Sequence, residues 1–173
     1  MDHRAISFVL AGGVVTLDRV SKIWIAHNLG PYDKIPVIPG IFDIVHSENR
    51  GMAFGLLNNG KSDLRTLVLA AAAVVVLCIV LYLIWRLPRQ PTPGEPFTPV
   101  ILGLVLGGAI GNLWDRMLRG SVTDFLDFYL GSYHWPAFNV ADSAITIGVC
   151  LLALEWLWPE RKTKASRNAS ETH

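Results

Sequence analysis

Charge is scarce in this sequence. Only 17% of the 173 residues are charged, and fifteen Lys and Arg against fourteen Asp and Glu leave a net charge of +1. A balance that small carries no basic footprint for nucleic acid. Cysteine is scarce too. Cys78 and Cys150 each lie inside an apolar run and lack ligand-like spacing, so they read as packing residues rather than a disulfide or metal pair. Neither an HExxH zinc motif nor a GxSxG elbow occurs, which leaves those two hydrolytic chemistries without their signatures. No small-x-small cleavage site follows the first apolar segment, and three charges, Asp18, Arg19 and Lys22, stand where one would belong. That segment therefore reads as a retained helix, not a signal peptide.

What is abundant is hydrocarbon. Half of the chain is hydrophobic (51%), which points to a membrane protein of one domain, residues 1–173. Residues 67–85 and 97–114 contain no charge, and each run can cross ~30 Å of hydrocarbon at ~1.5 Å per residue. Two further runs are interrupted: one near 5–26 by Asp18, Arg19 and Lys22, the other, 137–154, by Asp142 with Asn139 nearby. Four transmembrane helices are expected, at about 5–26, 65–86, 97–117 and 137–158. An external segment covers about 28–63, and a cytoplasmic linker rich in proline covers about 87–96.

With four spans both termini share a side. Arg4, Arg86, Arg89, Arg161, Lys162, Lys164 and Arg167 then lie on one side, and Lys34, Arg50, Lys61, Arg65, Arg116 and Arg119 on the other. The totals barely differ. The first group is denser, which puts the termini in the cytoplasm. Trp24, Trp114 and Trp135 would mark the outer interface, and Trp85, Trp156 and Trp158 the inner one.

The polar residues cluster. Asp18 and Lys22 are four apart on one helix face. They either neutralise each other within the bundle or support a site above them. Residues 41–46 read as a short strand. In the block Glu48-Asn49-Arg50-Gly51-Met52-Ala53-Phe54-Gly55, the asparagine and glycines suggest a tight turn or a close approach. Gly103, Gly107 and Gly111 recur at four-residue steps, a packing signal for neighbouring helices. Asn112, Asp115 and Arg116 share a helix face beyond them, where Asp115 and Arg116 could serve only as anchors. The connector 118–136 mixes Asp124 and Asp127 with aromatic residues that favour a membrane interface. Asp142 lies one to two turns into the last helix.

Ionisable groups at a membrane boundary are costly and usually functional. Two neighbouring carboxylates cannot both ionise cheaply, so one keeps its proton while the other takes one from water. That is the acid/base pair of an aspartic peptidase, with Asp142 as one member and Asp124 or Asp127 as the other. His134 with the aspartates is a weaker metal-binding alternative. The non-enzyme alternative is a small proton- or cation-translocating protein, since transporters also use intramembrane Asp and Lys; a structural membrane subunit is the blandest reading.

The blocks Asp18-x-x-x-Lys22, Glu48 to Gly55, Gly111-Asn112-Leu113-Trp114-Asp115-Arg116, Val122-Thr123-Asp124-Phe125 and Phe138-Asn139-Val140-Ala141-Asp142-Ser143 closely resemble, in order and over nearly the whole chain, those of bacterial lipoprotein signal peptidase (signal peptidase II). The resemblance implies an all-α inner-membrane protein of four transmembrane helices, with a small extracytoplasmic β-rich cradle and a short periplasmic helix. It implies an aspartic endopeptidase that removes signal peptides from diacylglyceryl-modified prolipoproteins, just before the lipidated cysteine. The motif positions put the catalytic dyad at Asp124 and Asp142, near the periplasmic face. Asn49, Gly51, Phe54, Asn112, Arg116 and Asn139 match substrate-binding or site-supporting positions. Asp18, Lys22 and Asp115 match positions thought to hold the site together. No metal or organic cofactor is implied. The expected partners are the lipidated substrates and membrane lipid, with the enzyme itself a monomer.

Overall fold

The computed structural model describes residues 2–31, 33–50, 62–89 and 97–157. Four helices and one antiparallel sheet make up these residues. Helix α1 (His3–Asn28) begins at Asp2, whose carboxylate accepts from the Arg4 N–H at 2.9 Å, a typical N-cap. Strands β1 (Lys34–Ile38) and β2 (Phe42–Asn49) follow as a hairpin. Helix α2 (Ser62–Arg86) and helix α3 (Thr98–Arg119) come next. Pro99 lies in the first turn of α3, where its missing N–H costs nothing, and Gly120 ends the helix with φ +71°. Strands β3 (Val122–Leu130) and β4 (Tyr133–His134) precede helix α4 (Val140–Leu157). The sheet order is β1-β2-β3-β4.

The connector between α3 and α4 carries more regular structure than its sequence suggests. Its aromatic and β-branched residues build β3 and pair with β2 over Phe42–Asn49. Phe42 and Phe128 stack at 4.5 Å between ring centroids across that pair, and Phe128 and Phe138 at 5.8 Å. Such cross-strand aromatic contacts stabilise a sheet.

Helix α3 is the axis of the bundle and packs against each of the others. Its small residues allow this. A Cβ at Gly103 would meet the Ser7 carbonyl of α1 at 2.8 Å, one at Gly107 the Ala11 carbonyl at 2.8 Å, and one at Gly111 the Asp18 carboxylate at 2.8 Å. Gly108 lies against the Ala141 carbonyl of α4. Ala11, Val80, Ile84, Leu87, Leu102 and Leu106 form one core cluster, joining α1, α2 and α3. Ile25, Leu29 and Phe125 form another where α1 meets the sheet.

Among the described residues, three helices are long and apolar enough to cross a membrane: α2 over Leu67–Arg86, α3 over Thr98–Arg119 and α4 over Val140–Leu157. Helix α1 is longer, with 26 residues, but carries Asp18, Arg19 and Lys22. Large apolar side chains cover the outside of the bundle, among them Leu67, Val75 and Ile79 on α2 and Ile147 and Leu154 on α4. An exterior of this kind is matched to hydrocarbon rather than water.

Candidate active site

The polar residues of α1, α3 and α4 meet where the bundle joins the sheet. Lys22 is fully buried, and its ammonium stands 2.8 Å from Asp18 Oδ2 and 2.8 Å from Asp115 Oδ2. Arg19 closes on the other oxygen of Asp115. Two acids and two bases thus form a neutral cluster, the form in which buried charge is tolerated. The Asp18–Lys22 pair does neutralise itself, and it also reaches the site. Asp18 Oδ1 accepts the backbone N–H of Ala141 at 3.1 Å, in the first turn of α4.

Asn139 immediately precedes α4. Its Oδ1 accepts the Asp142 N–H at 2.9 Å, and its own N–H points to Asp142 Oδ2 at 3.3 Å. This reciprocal arrangement is a capping box. It fixes the start of α4 at Val140 and leaves Asp142 in the first turn, closer to the helix end than the hydropathy pattern suggests. The unpaired N–H groups of a helix start favour a carboxylate there.

Asp124 approaches from β3 and is 3% exposed. Asn139 Nδ2 donates to its Oδ1 at 2.7 Å, and Asn49 Nδ2, from β2, donates to its Oδ2 at 3.0 Å. Asn112 Nδ2, from α3, donates to Asp142 Oδ1 at 2.7 Å, and Asn112 Oδ1 accepts from Asn139 Nδ2 at 3.4 Å. Three asparagines therefore hold two carboxylates. Among the described residues no cation forms an ion pair with Asp124 or Asp142. Arg116 donates to the Asn112 carbonyl at 3.3 Å, and its charge acts on Asp142, Asp124 and Asp115.

Burial pushes the Asp124 carboxyl up to about 6, with the nearby Asp142 acting in the same direction. The amide donors of Asn49 and Asn139 and the charge of Lys22 offset part of that rise. A carboxyl in this condition exchanges its proton near neutrality, as an acid/base group must.

Asp127 lies elsewhere. It is three residues from Asp124 on the same strand, and an odd separation puts the two side chains on opposite faces. Its carboxylate meets His134 Nδ1 at 3.0 Å. Among the described residues, no three His, Cys, Asp or Glu side chains are grouped to hold a metal ion. Gly51 and Phe54 fall outside the described residues. Sequence reasoning missed Arg19, which it counted only as an interruption. It also gave no role to Glu48, which accepts from Ser121 Oγ at 2.5 Å and from Thr123 Oγ1 at 3.2 Å. The alternation of Glu48 with Asn49 on one strand was the available signal for a two-faced arrangement.

A mostly helical bundle with apolar spans, a small sheet and a pair of amide-held carboxylates defines the class as a membrane enzyme. One solved structure of a bacterial membrane enzyme, determined by the in meso method at 1.9 Å resolution, matches with a TM-score of 0.73 and 34% identity over 88% of this chain and 92% of that one. A family model described as signal peptidase (SPase) II matches residues 10–158. The lipoprotein signal peptidase of Solibacter usitatus is 48% identical over 164 residues, covering 93% of this chain and 96% of that protein. That of Symbiobacterium thermophilum is 44% identical over 160 residues, covering 92% and 99%. The chain belongs to the signal peptidase II family, whose members are membrane proteases.

Proposed function

We propose that this protein is an intramembrane aspartic endopeptidase that removes signal peptides from diacylglyceryl-modified prolipoproteins, cutting just before the lipidated cysteine. The observation that carries this reading is the joint hold of Asn139 on Asp124 and Asp142. Asn49 and Asn139 donate to Asp124, and Asn112 donates to Asp142, so amide donors hold both carboxylates in one site.

In this mechanism the ionised member of the pair takes a proton from a water molecule. The water oxygen bonds to the scissile carbonyl carbon, and the protonated member gives its proton to the carbonyl oxygen. The neutral tetrahedral intermediate then collapses. One carboxyl protonates the leaving nitrogen, the C–N bond breaks, and the other carboxylate takes a hydroxyl proton back. Arg116 contributes positive potential to the pair. The chemistry needs no metal or organic cofactor.

The proposed setting is a bacterial inner membrane, crossed four times by a single domain, residues 1–173, acting as a monomer. Helix α1 supplies the fourth span, because its charges pair with one another and with Asp115 inside the bundle instead of meeting lipid. Both termini are cytoplasmic, and the sheet, with the dyad beneath it, faces the periplasm. There the acyl chains of a substrate remain in lipid while the scissile bond reaches the carboxylates. Asn49, Gly51, Phe54, Asn112, Arg116 and Asn139 bind the substrate or support the site.

The test is cleavage of a diacylglyceryl-modified prolipoprotein by purified protein in the presence of a chelator. The wild type should cut before the lipidated cysteine, and Asp124→Asn and Asp142→Asn should fold and fail to cut. Cleavage by either variant would remove that residue from the dyad. A wild type that never cleaves but carries protons or cations into liposomes would replace this reading with transport.

A further inference from the structure

The contact between Asn49 and Asp124 depends on a change of register in the sheet. Near the β1–β2 turn, Asp43 pairs with Asp127 and Ile44 with Leu126. Further along, Ser47 pairs with Asp124, Glu48 with Thr123 and Asn49 with Val122. Two residues of β2, Val45 and His46, thus stand against one of β3, Phe125, which is a β-bulge. Residues paired across a sheet share a face, and side chains alternate along each strand. After the bulge, Ser47 and Asn49 lie on the face of Asp124. Without it, His46 would stand opposite Asp124, and Asn49 would point to the back of the sheet.

The back of the sheet holds the shifted register in place. Glu48 Oε2 accepts from Ser121 Oγ at 2.5 Å, and Glu48 Oε1 from Thr123 Oγ1 at 3.2 Å. Both hydroxyl residues are buried, and Glu48 gives each of them a hydrogen-bond partner. His46 sits in the bulge. Its Nδ1 is 2.8 Å from the Leu29 carbonyl at the end of α1, and its Nε2 is 3.4 Å from Glu48 Oε1. A carbonyl only accepts, so Nδ1 carries the hydrogen. These contacts tie β2 to β3 through Glu48, on the face away from Asp124, and to the end of α1 through His46.

We propose that Glu48 and His46 are positioning residues for the catalytic pair, fixing from behind the strand the register that delivers Asn49 to Asp124. This inference rests on the peptidase reading for its effect on catalysis, but not for its structural content. Losing Glu48 lets the register relax, withdraws the Asn49 amide and leaves Asp124 without one of its two asparagine donors.

The experiment uses the full-length protein with 13C-labelled aspartate, following the Asp124 carboxyl by NMR across pH. Asp124→Asn identifies the resonance. Asn49→Ala and Glu48→Leu should each move the Asp124 titration to higher pH by a similar amount, and the double variant should move it no further. Glu48→Gln, which keeps one acceptor oxygen, should restore much of the wild-type midpoint. In parallel, kcat for the lipidated substrate should fall roughly 10- to 100-fold in Glu48→Leu, with KM little changed. An unmoved Asp124 titration in Glu48→Leu overturns the proposal, as does an additive shift in the double variant. If Glu48→Leu does not fold, Thr123→Val and His46→Asn carry the same comparison. His46→Asn keeps a donor for the Leu29 carbonyl and should stay near wild type, whereas Thr123→Val should shift the titration. Cleavage by Asp124→Asn would sink the peptidase reading and leave the titration result to decide the positioning claim by itself.

Discussion

Asn139 caps α4 through Asp142 and at the same time donates to Asp124 at 2.7 Å. One side chain therefore sets the start of the helix that carries one carboxylate and holds the other carboxylate from a separate strand. Helix geometry and site geometry are coupled through this residue.

Two variants separate those roles. Asn139→Ala should lose about 1 kcal/mol from the missing cap and at least roughly 100-fold in kcat from a displaced dyad. Asn139→Ser restores a capping oxygen but cannot span to Asp124. It should recover thermal stability and not activity, a split readable from melting curves and single-turnover cleavage. Recovery of both by Ser would show that capping alone is needed.

Asp124 makes stability depend on pH. Its carboxyl is raised from 3.8 to about 6 in the folded protein. Between those values the folded state holds a proton that the unfolded state has released, so stability falls as pH rises from about 4 to 6 and then levels. The loss is at most about 3 kcal/mol at ~1.4 kcal/mol per unit. Subtracting the Asp124→Asn curve from the wild-type curve, both in detergent micelles, should isolate that decline. A flat difference curve from pH 4 to 7 would show that burial does not raise this carboxyl.

Gly111 should tolerate no larger residue. A Cβ there would stand 2.8 Å from Asp18 Oδ2 and 3.2 Å from the Ala141 Cβ. Gly111→Ala should push Asp18 from both Lys22 and the start of α4, costing about 1–3 kcal/mol. Gly12→Ala, on the open side of α1 with nothing within 4 Å, is the control and should leave the melting temperature unchanged or slightly raised.

Lys22 balances two buried acids. Lys22→Met leaves Asp18 and Asp115 with Arg19 as the remaining base, and should destabilise the protein by roughly 3–5 kcal/mol. The double variant Lys22→Met, Asp18→Asn returns the cluster to one acid and one base. It should regain a measurable part of that loss in thermal unfolding. A double variant less stable than Lys22→Met would refute charge balance as the reason for Lys22.

How much of this was legible beforehand differs by element. The apolar runs of α2 and α3 announce themselves, because hydrocarbon burial needs only composition and length. The glycine steps of α3 announce close packing for a similar reason, since spacing alone puts small residues on one helix face. The strand β3 was not legible. Its Asp, Phe and Tyr residues suit an interface as well as a sheet, and only pairing with β2 distinguishes the two. Arg19 was not legible as a partner of Asp115, because 96 residues separate them.

The sequence by itself determined the chain's membrane character, its helical runs and the small set of polar residues worth explaining. Each follows from local quantities: hydropathy, periodicity and side-chain type. The tertiary structure alone decided which of those residues meet. Asp124 reaches Asn139 and Asn49, while Asp127 turns to His134, because a strand sends alternate side chains to opposite faces. Asn49 shares the face of Asp124 because a single extra residue in β2 shifts the register beyond it. A bulge of that kind depends on hydrogen bonds between distant segments and leaves no periodic trace along the chain.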